Sequence, residues 1–190
     1  MDSVSEMKMN SLKDLEHRAK ACTNCGLRSG CRGVVFGEGN IDSPVMFVGE
    51  GPGQTEDELG RPFVGKAGQL LDKILLAAEL PRETVYITNI VKCRPPGNRT
   101  PNTQEMQACL PWLRQQFALM RPRFMVLLGL AATHGILEPN LKMGQSHGQW
   151  FEKGNVLIMP TYHPAAILRN PALRKPAWED FQKISQTVHE

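Results

Sequence analysis

The sequence predicts an α/β fold: a central, mostly parallel sheet of four strands, covered by helices on both faces. Three observations carry this expectation. Four short apolar runs are continuous rather than alternating, as strands buried on both faces are. Segments with helical periodicity separate them, and an alternation of strand and helix calls for parallel neighbours joined by right-handed crossovers. The 190 residues suit a single domain, spanning 1–190, with a sizeable core.

Taken in order, residues 11–21 place Leu12, Leu15 and Ala19 at helical spacing behind Ser11, a residue type that caps helices. The first strand is "PVMFVGE" (44–50), followed by a helix over "AGQLLDKILLAAEL" (67–80) that stops before Pro81. "TVYITNIV" (84–91) is the second strand. The next helix lies near 103–119, contains Cys109 and ends ahead of Pro122. "RFMVLLG" (123–129) is the third strand, "LAATHGIL" (130–137) a short helix, "NVLIMPTYH" (155–163) the fourth strand, and "KPAWEDFQKISQTV" (175–188) the closing helix. No internal repeat or low-complexity tract interrupts the series.

Composition narrows the setting. Apolar residues are spread along the chain, which argues against disorder. No apolar run approaches the roughly 20 residues of a membrane span, and the N-terminal stretch lacks the apolar core of a signal peptide, so a cytosolic, membrane-free protein is expected; a monomer is the expected state. The net charge of +3 is too mild to indicate a polyanionic partner. Its distribution says more, because "VKCRPPGNRTPN" and "HPAAILRNPALRKPAW" each carry three cations and no acid. Two such loops could form one positive rim along a phosphate backbone.

The cysteines are Cys22, Cys25, Cys31, Cys93 and Cys109. A disulfide framework does not suit a cytosolic chain. Cys22-x2-Cys25 can grip one metal centre from a single turn, with Cys93 and Cys109 closing a long loop around it. Four thiolates without histidine fit a structural zinc or an iron–sulfur cluster, and spacing does not separate the two.

In a parallel sheet, ligands sit beyond the carboxyl ends of the strands. The residues expected there are Glu50, Gly51 and Gly53; Asn89; Gly129; and His163. Neither glycine register, from Gly49 or from Gly51, completes G-x-G-x-x-G, because Gln54 or Glu56 takes the third position. A phosphate cradle needs free N–H groups and no competing anion, yet Pro52 removes a donor and Glu50 adds a charge. A nucleotide-phosphate loop is therefore a poor fit. A carboxylate at a strand tip suits holding a water or stabilising a developing cation. The Asn89 amide matches a pyrimidine edge offering O4 and N3–H, His163 can donate to a leaving-group oxygen, and Phe63 can stack on a base; taken singly, Asn89 also reads as an ordinary structural amide, His163 as a satisfied core histidine and Phe63 as core.

Together "GEGPG", "RPFVGKAGQLL", "YITNIVKCRPP" and "HPAAILRNP", with the spacing of Cys22, Cys25, Cys93 and Cys109, resemble the iron–sulfur uracil-DNA glycosylases of family 4. The match runs from about Cys22 to the closing helix with every motif in order. The resemblance implies a three-layer α/β/α sandwich and a [4Fe–4S] cluster on those four cysteines, tying down the N-terminal segment. Cys31 lies outside the family pattern, and the alanines after Pro164 depart from a serine often found there.

The resemblance also implies roles. Glu50 would position the hydrolytic water and stabilise the sugar cation, and the backbone around Gly51 would help to bind the base. Phe63 would stack on uracil, Asn89 would read its O4 and N3 edge, and His163 would hydrogen-bond O2. Ile167 or Leu168 would be the apolar wedge entering the duplex. Glu56 or Gly60–Arg61 lies in the right loop to exclude the thymine methyl. The substrate expected is uracil-containing DNA, single- or double-stranded. A product-trapping branch of the same superfamily carries a basic insertion ending in histidine after the second strand, where this chain reads "RPPGNRTPN". A zinc-stabilised binding module without catalysis is the other reading.

Overall fold

The computed structural model describes residues 3–190. Six strands form one mixed sheet: β1 (Glu38–Gly39), β2 (Val45–Gly49), β3 (Tyr86–Asn89), β4 (Phe124–Leu128), β5 (Phe151–Lys153) and β6 (Val156–Thr161), in the order β1-β3-β2-β4-β6-β5. The helices are α1 (Ser3–Lys20), α2 (Gln54–Leu59), α3 (Lys66–Ala77), α4 (Thr103–Met120), α5 (Leu130–Ile136), α6 (Met143–Ser146), α7 (Pro164–Arg169) and α8 (Arg174–His189).

The four apolar runs form the parallel core of the sheet, with β2 registered against β3 through Gly49 and Asn89 and against β4 through Phe47 and Val126. The sheet has six strands rather than four because β1 and β5 add antiparallel edges to β3 and β6. Those segments are two and three residues long and carry no apolar run. Successive residues of β2 face opposite sides, so Met46 and Val48 join Leu12, Leu15 and Leu113 of α1 and α4, while Val45 and Phe47 join Leu71 and Phe181 of α3 and α8. Each fully buried side chain of this kind contributes roughly 1.5–3 kcal/mol, and Phe47 stacks on Phe181 with ring centroids 6.0 Å apart.

Several boundaries move for local reasons. Helix α1 begins before Ser11, so this residue is not its cap, and the Ser11 hydroxyl instead donates to Met7 O one turn back at 3.0 Å. Helix α3 ends early because Glu79 takes a left-handed conformation and the Leu80 N–H returns to Leu75 O. Helix α4 starts where expected, with a reciprocal capping box between Asn102 and Glu105. Helices α2 and α6 lie in segments whose pattern gives no helical period. No helix among the described residues is long and apolar enough to cross a membrane.

Candidate active site

The carboxyl ends of β3, β2, β4 and β6 open side by side onto one cavity of about 820 Å³. Glu50, Gly51, Phe63, Asn89 and His163 all line it, together with Gly129. Parallel pairing carries past the strand ends, as Ile90 and Val91 donate to Gly49 O and Glu50 O at 2.9 and 3.1 Å, so the two loops leave the sheet in fixed register.

Asn89 closes β3 and is 1% exposed, and its side-chain oxygen is shielded from water without a hydrogen-bond partner. Such an acceptor costs about 1–3 kcal/mol when left unmade, which a donor on a bound molecule would recover. Gly49 allows this crowding, because a Cβ there would stand 2.5 Å from Asn89 Oδ1 and 2.4 Å from Phe63 Cζ.

Phe63 is buried with a left-handed φ of 50°, a conformation that costs a branched or bulky residue of order 1–3 kcal/mol. Neighbours impose it. Arg82 Nη1 donates to Phe63 O at 2.7 Å and Nη2 to Pro62 O. Glu56 Oε1 accepts from Val64 N and Gly65 N at 3.0 and 2.9 Å. Gly68 of α3 leaves room for the Phe63 carbonyl, 1.9 Å from where a Cβ would be. The ring lies 5.5 Å from that of His163, 30° from parallel.

His163 caps α7, its Nδ1 accepting from Ala165 N at 3.0 Å. In the neutral ring the proton is then on Nε2, a donor. Burial, reinforced by the Arg169 charge against a weaker pull from Glu56, brings the ring down from 6.5 to about 4. Burial pushes the Glu50 carboxyl above its ordinary 4.5, with Arg169 opposing. The cavity thus combines a neutral imidazole donor, an amide with an unmet acceptor, an aromatic face and a carboxylate.

The wedge candidates separate. Ile167 is 2% exposed and buried in the fold, so it is not at the surface as an entering wedge must be, whereas Leu168 beside it is 46% exposed. Of the residues considered for methyl exclusion, Glu56 lines the cavity, while exposed Arg61 pairs with Glu38 at 2.8 Å. Both proline-rich loops border the cavity, through Pro95, Asn98, Arg99 and Arg169. Their positive charge is smaller than the sequence suggests, since Lys92 is 1% exposed and Arg99 pairs with Glu105.

Two residues outside the expected set hold the site in place. Arg82 also pairs with Glu38 and Asp72, both at 2.8 Å, and so binds the Phe63 loop to β1 and α3. Lys92, lowered to about 7 by burial, donates to Thr88 Oγ1, to Asn89 O at 2.8 Å and to Gln116 Oε1 at 2.6 Å, fixing the tip of β3 to α4. A lysine before Cys93 and an arginine after Pro81 read as surface charges in sequence.

Cys22, Cys25, Cys93 and Cys109 line a second, apolar hollow with Leu27, Val34 and Trp112. Three N–H groups donate to its sulfurs: Asn24 N and Trp112 Nε1 to Cys22 at 3.5 and 3.3 Å, and Lys92 N to Cys109 at 3.2 Å. Cys31 is absent from that lining and directs its thiol at Arg28 O and Gly33 O. No group of three or more His, Cys, Asp or Glu among the described residues is placed to hold a single metal ion.

Strand tips bearing a carboxylate, an amide and an imidazole over a parallel sheet define a class, and the comparisons agree: the chain belongs to the Uracil DNA glycosylase superfamily, whose family model matches residues 36–182. Within that class the similarity is to type-4 uracil-DNA glycosylases. It is 45% identical over 180 residues to the one from Pyrobaculum aerophilum, covering 90% of each chain. With the one from Thermotoga maritima it is 42% identical over 180 residues, covering 92% of this chain and 93% of the relative. A type-5 uracil-DNA glycosylase of Pyrobaculum aerophilum is more distant, 32% identical over 68% of this chain and 64% of its own length.

Proposed function

We propose that the protein hydrolyses the N-glycosidic bond of uracil in DNA, acting on a nucleotide swung out of the strand. The observation that carries this reading is the sheltered Asn89 oxygen without a partner, beside an imidazole held neutral with its proton on Nε2. Uracil offers N3–H to that oxygen and O4 to the amide nitrogen. Cytosine presents an amino donor where uracil has an acceptor, so the same amide disfavours it.

As the bond from C1′ to N1 breaks, its electron pair stays with the base and charge gathers on O2. The His163 Nε2–H meets that charge, while the Glu50 carboxylate faces the sugar cation and orients a water. The water oxygen bonds C1′ and its proton passes to Glu50. Glu50 gives up this proton to solvent and the uracil anion takes one up at N1, so the products are free uracil and an abasic deoxyribose. Both contacts strengthen as charge separates, so they favour the transition state over the bound substrate. Phe63 stacks on the extruded base, which recovers part of the few kcal/mol spent on unstacking. Leu168 fills the space left in the strand, and Glu56 is the candidate for the wall against the thymine methyl.

The four-cysteine hollow suits a [4Fe–4S] cluster, whose thiolate ligands take N–H hydrogen bonds of the kind seen here. When bound, such a cluster supplies a structural tie and no electrons to a hydrolysis. Cys22 and Cys25 then join the segment after α1 to Cys93 in the loop after β3 and to Cys109 in α4, shaping the DNA-facing side. A reducing, cytosolic setting suits free thiols. Turnover is favoured over product trapping because residues 94–102 contain no histidine.

The test is incubation with a labelled uracil-containing oligonucleotide, single- or double-stranded, followed by alkaline cleavage. Free uracil and a break at the uracil position are expected. A protein–DNA adduct surviving denaturation without free uracil would replace this reading with trapping.

A further inference from the structure

A single pyrimidine occupies only part of the cavity. Past Glu50, Asn89 and His163 its lining extends to Met106 of α4, Leu130 and His134 of α5, Met143 of α6 and Tyr162, a second wall of the same cavity. We propose that this second compartment receives the base adjacent to the uracil on the same strand, unstacked from its neighbours. The inference rests on the reading of the first compartment as the uracil site.

The wall is built to hold a flat ring. Tyr162 is braced from behind by the His147 ring at 4.8 Å. His147 is held by the Asp180 carboxylate at 2.9 Å, which also accepts from Thr161 Oγ1 at 2.7 Å. His134 Nε2 meets Leu141 O at 2.8 Å and ties α5 to the loop before α6. Met106 and Met143 in the same lining add two thioethers, whose polarizable contact adapts to any base. Leu130 remains 45% exposed on this wall.

Connectivity and charge select the occupant. A strand whose uracil sits on Asn89 must leave the compartment through its own sugar and phosphate, so its neighbour lies in the same continuous cavity. Lys66 and Arg169 stand along the lining, two cations within the same cavity to which linking phosphates would be drawn. The wall presents surface that stacks without choosing among bases, which suits a flanking residue of any sequence.

The experiment uses single-stranded oligonucleotides in which one neighbour of the uracil, 5′ or 3′, is replaced by an abasic tetrahydrofuran residue. With the unmodified protein, removal of one of the two neighbouring bases should raise KM about tenfold, the loss expected for one stacked base. Leu130→Ala, at an exposed position, and Met106→Ala should raise KM on the normal strand. The losses should not add, so variant and parent converge on the substrate lacking that base. KM indifferent to both neighbouring bases, or variants equally impaired with and without the base, overturns the proposal. A KM that responds instead to the base opposite uracil in a duplex assigns the compartment to the complementary strand, which also overturns it. In those outcomes uracil is still released. Absence of release from every substrate overturns the first compartment's reading, and this one with it.

Discussion

At the residue scale, in the proposed function, Asn89 holds the decision about which base is accepted. Asn89→Asp places an acceptor where the cytosine amino group donates, so release of cytosine from a cytosine-containing strand should become detectable while uracil release drops. Cytosine release no greater than background would count against the edge-reading role. His163 caps α7 with Nδ1, and in the proposed function its Nε2–H serves the leaving base. His163→Ala should lower kcat by about 10²–10³ with a smaller effect on DNA affinity, and should also cost about 1 kcal/mol through the lost cap of α7. His163→Asn, which keeps a capping acceptor, separates the two. Equal losses of cleavage and binding would make the histidine structural.

Glu50 has a raised carboxyl pKa from burial. A raised group contributes stability below its ordinary value near 4.5 and loses that contribution as pH climbs through the folded value. At pH 7 the buried anion is therefore a cost, so Glu50→Gln should melt higher than the parent while kcat falls by about 10²–10⁴. The melting difference should shrink at pH 4, and a variant that melts lower at pH 7 would contradict the burial argument. The shared location of these three side chains was legible in sequence because strand tips are predictable from apolar runs. Lys92 and Arg82 were not, since a charged letter gives no sign that folding will enclose it, and Ile167 differs from Leu168 only in which side of α7 faces inward.

At the scale of elements, the Phe63 loop is a strained segment held from three sides. Arg82→Lys keeps the charge but loses the planar fork that reaches two carbonyls and two carboxylates. The loop should relax, raising KM for uracil DNA about tenfold, with protease cleavage near Phe63 as a second readout. An unaltered KM would mean that Glu56 and Gly68 suffice. The parallel core was readable element by element, from "PVMFVGE" to "NVLIMPTYH", because burial on both faces leaves no polar alternation. Helix α2 was not, because its six residues "QTEDEL" are polar and take their place from Glu56 and Asp57, whose carboxylates accept backbone N–H groups of other segments. Helix α1 outran its expected start because Val4 and Met7 face solvent and so add no apolar period.

For the whole molecule, the four-cysteine hollow joins segments from both halves of the chain. Protein prepared without oxygen should be brown, with about four irons per chain. Cys93→Ser should lose iron and melt lower, whereas Cys31→Ser should keep the iron unchanged; iron lost with Cys31 would make it a ligand. The cysteine spacing was visible in sequence, but the N–H donors around the sulfurs are properties of the fold.

The two antiparallel stubs at the borders of the sheet have a consequence for association. With only Glu38–Gly39 at one margin and Phe151–Lys153 at the other, the sheet ends in rungs too few to template a foreign strand. Fibre-like stacking and strand exchange between copies are thereby discouraged, which keeps the sheet margins of crowded molecules from joining.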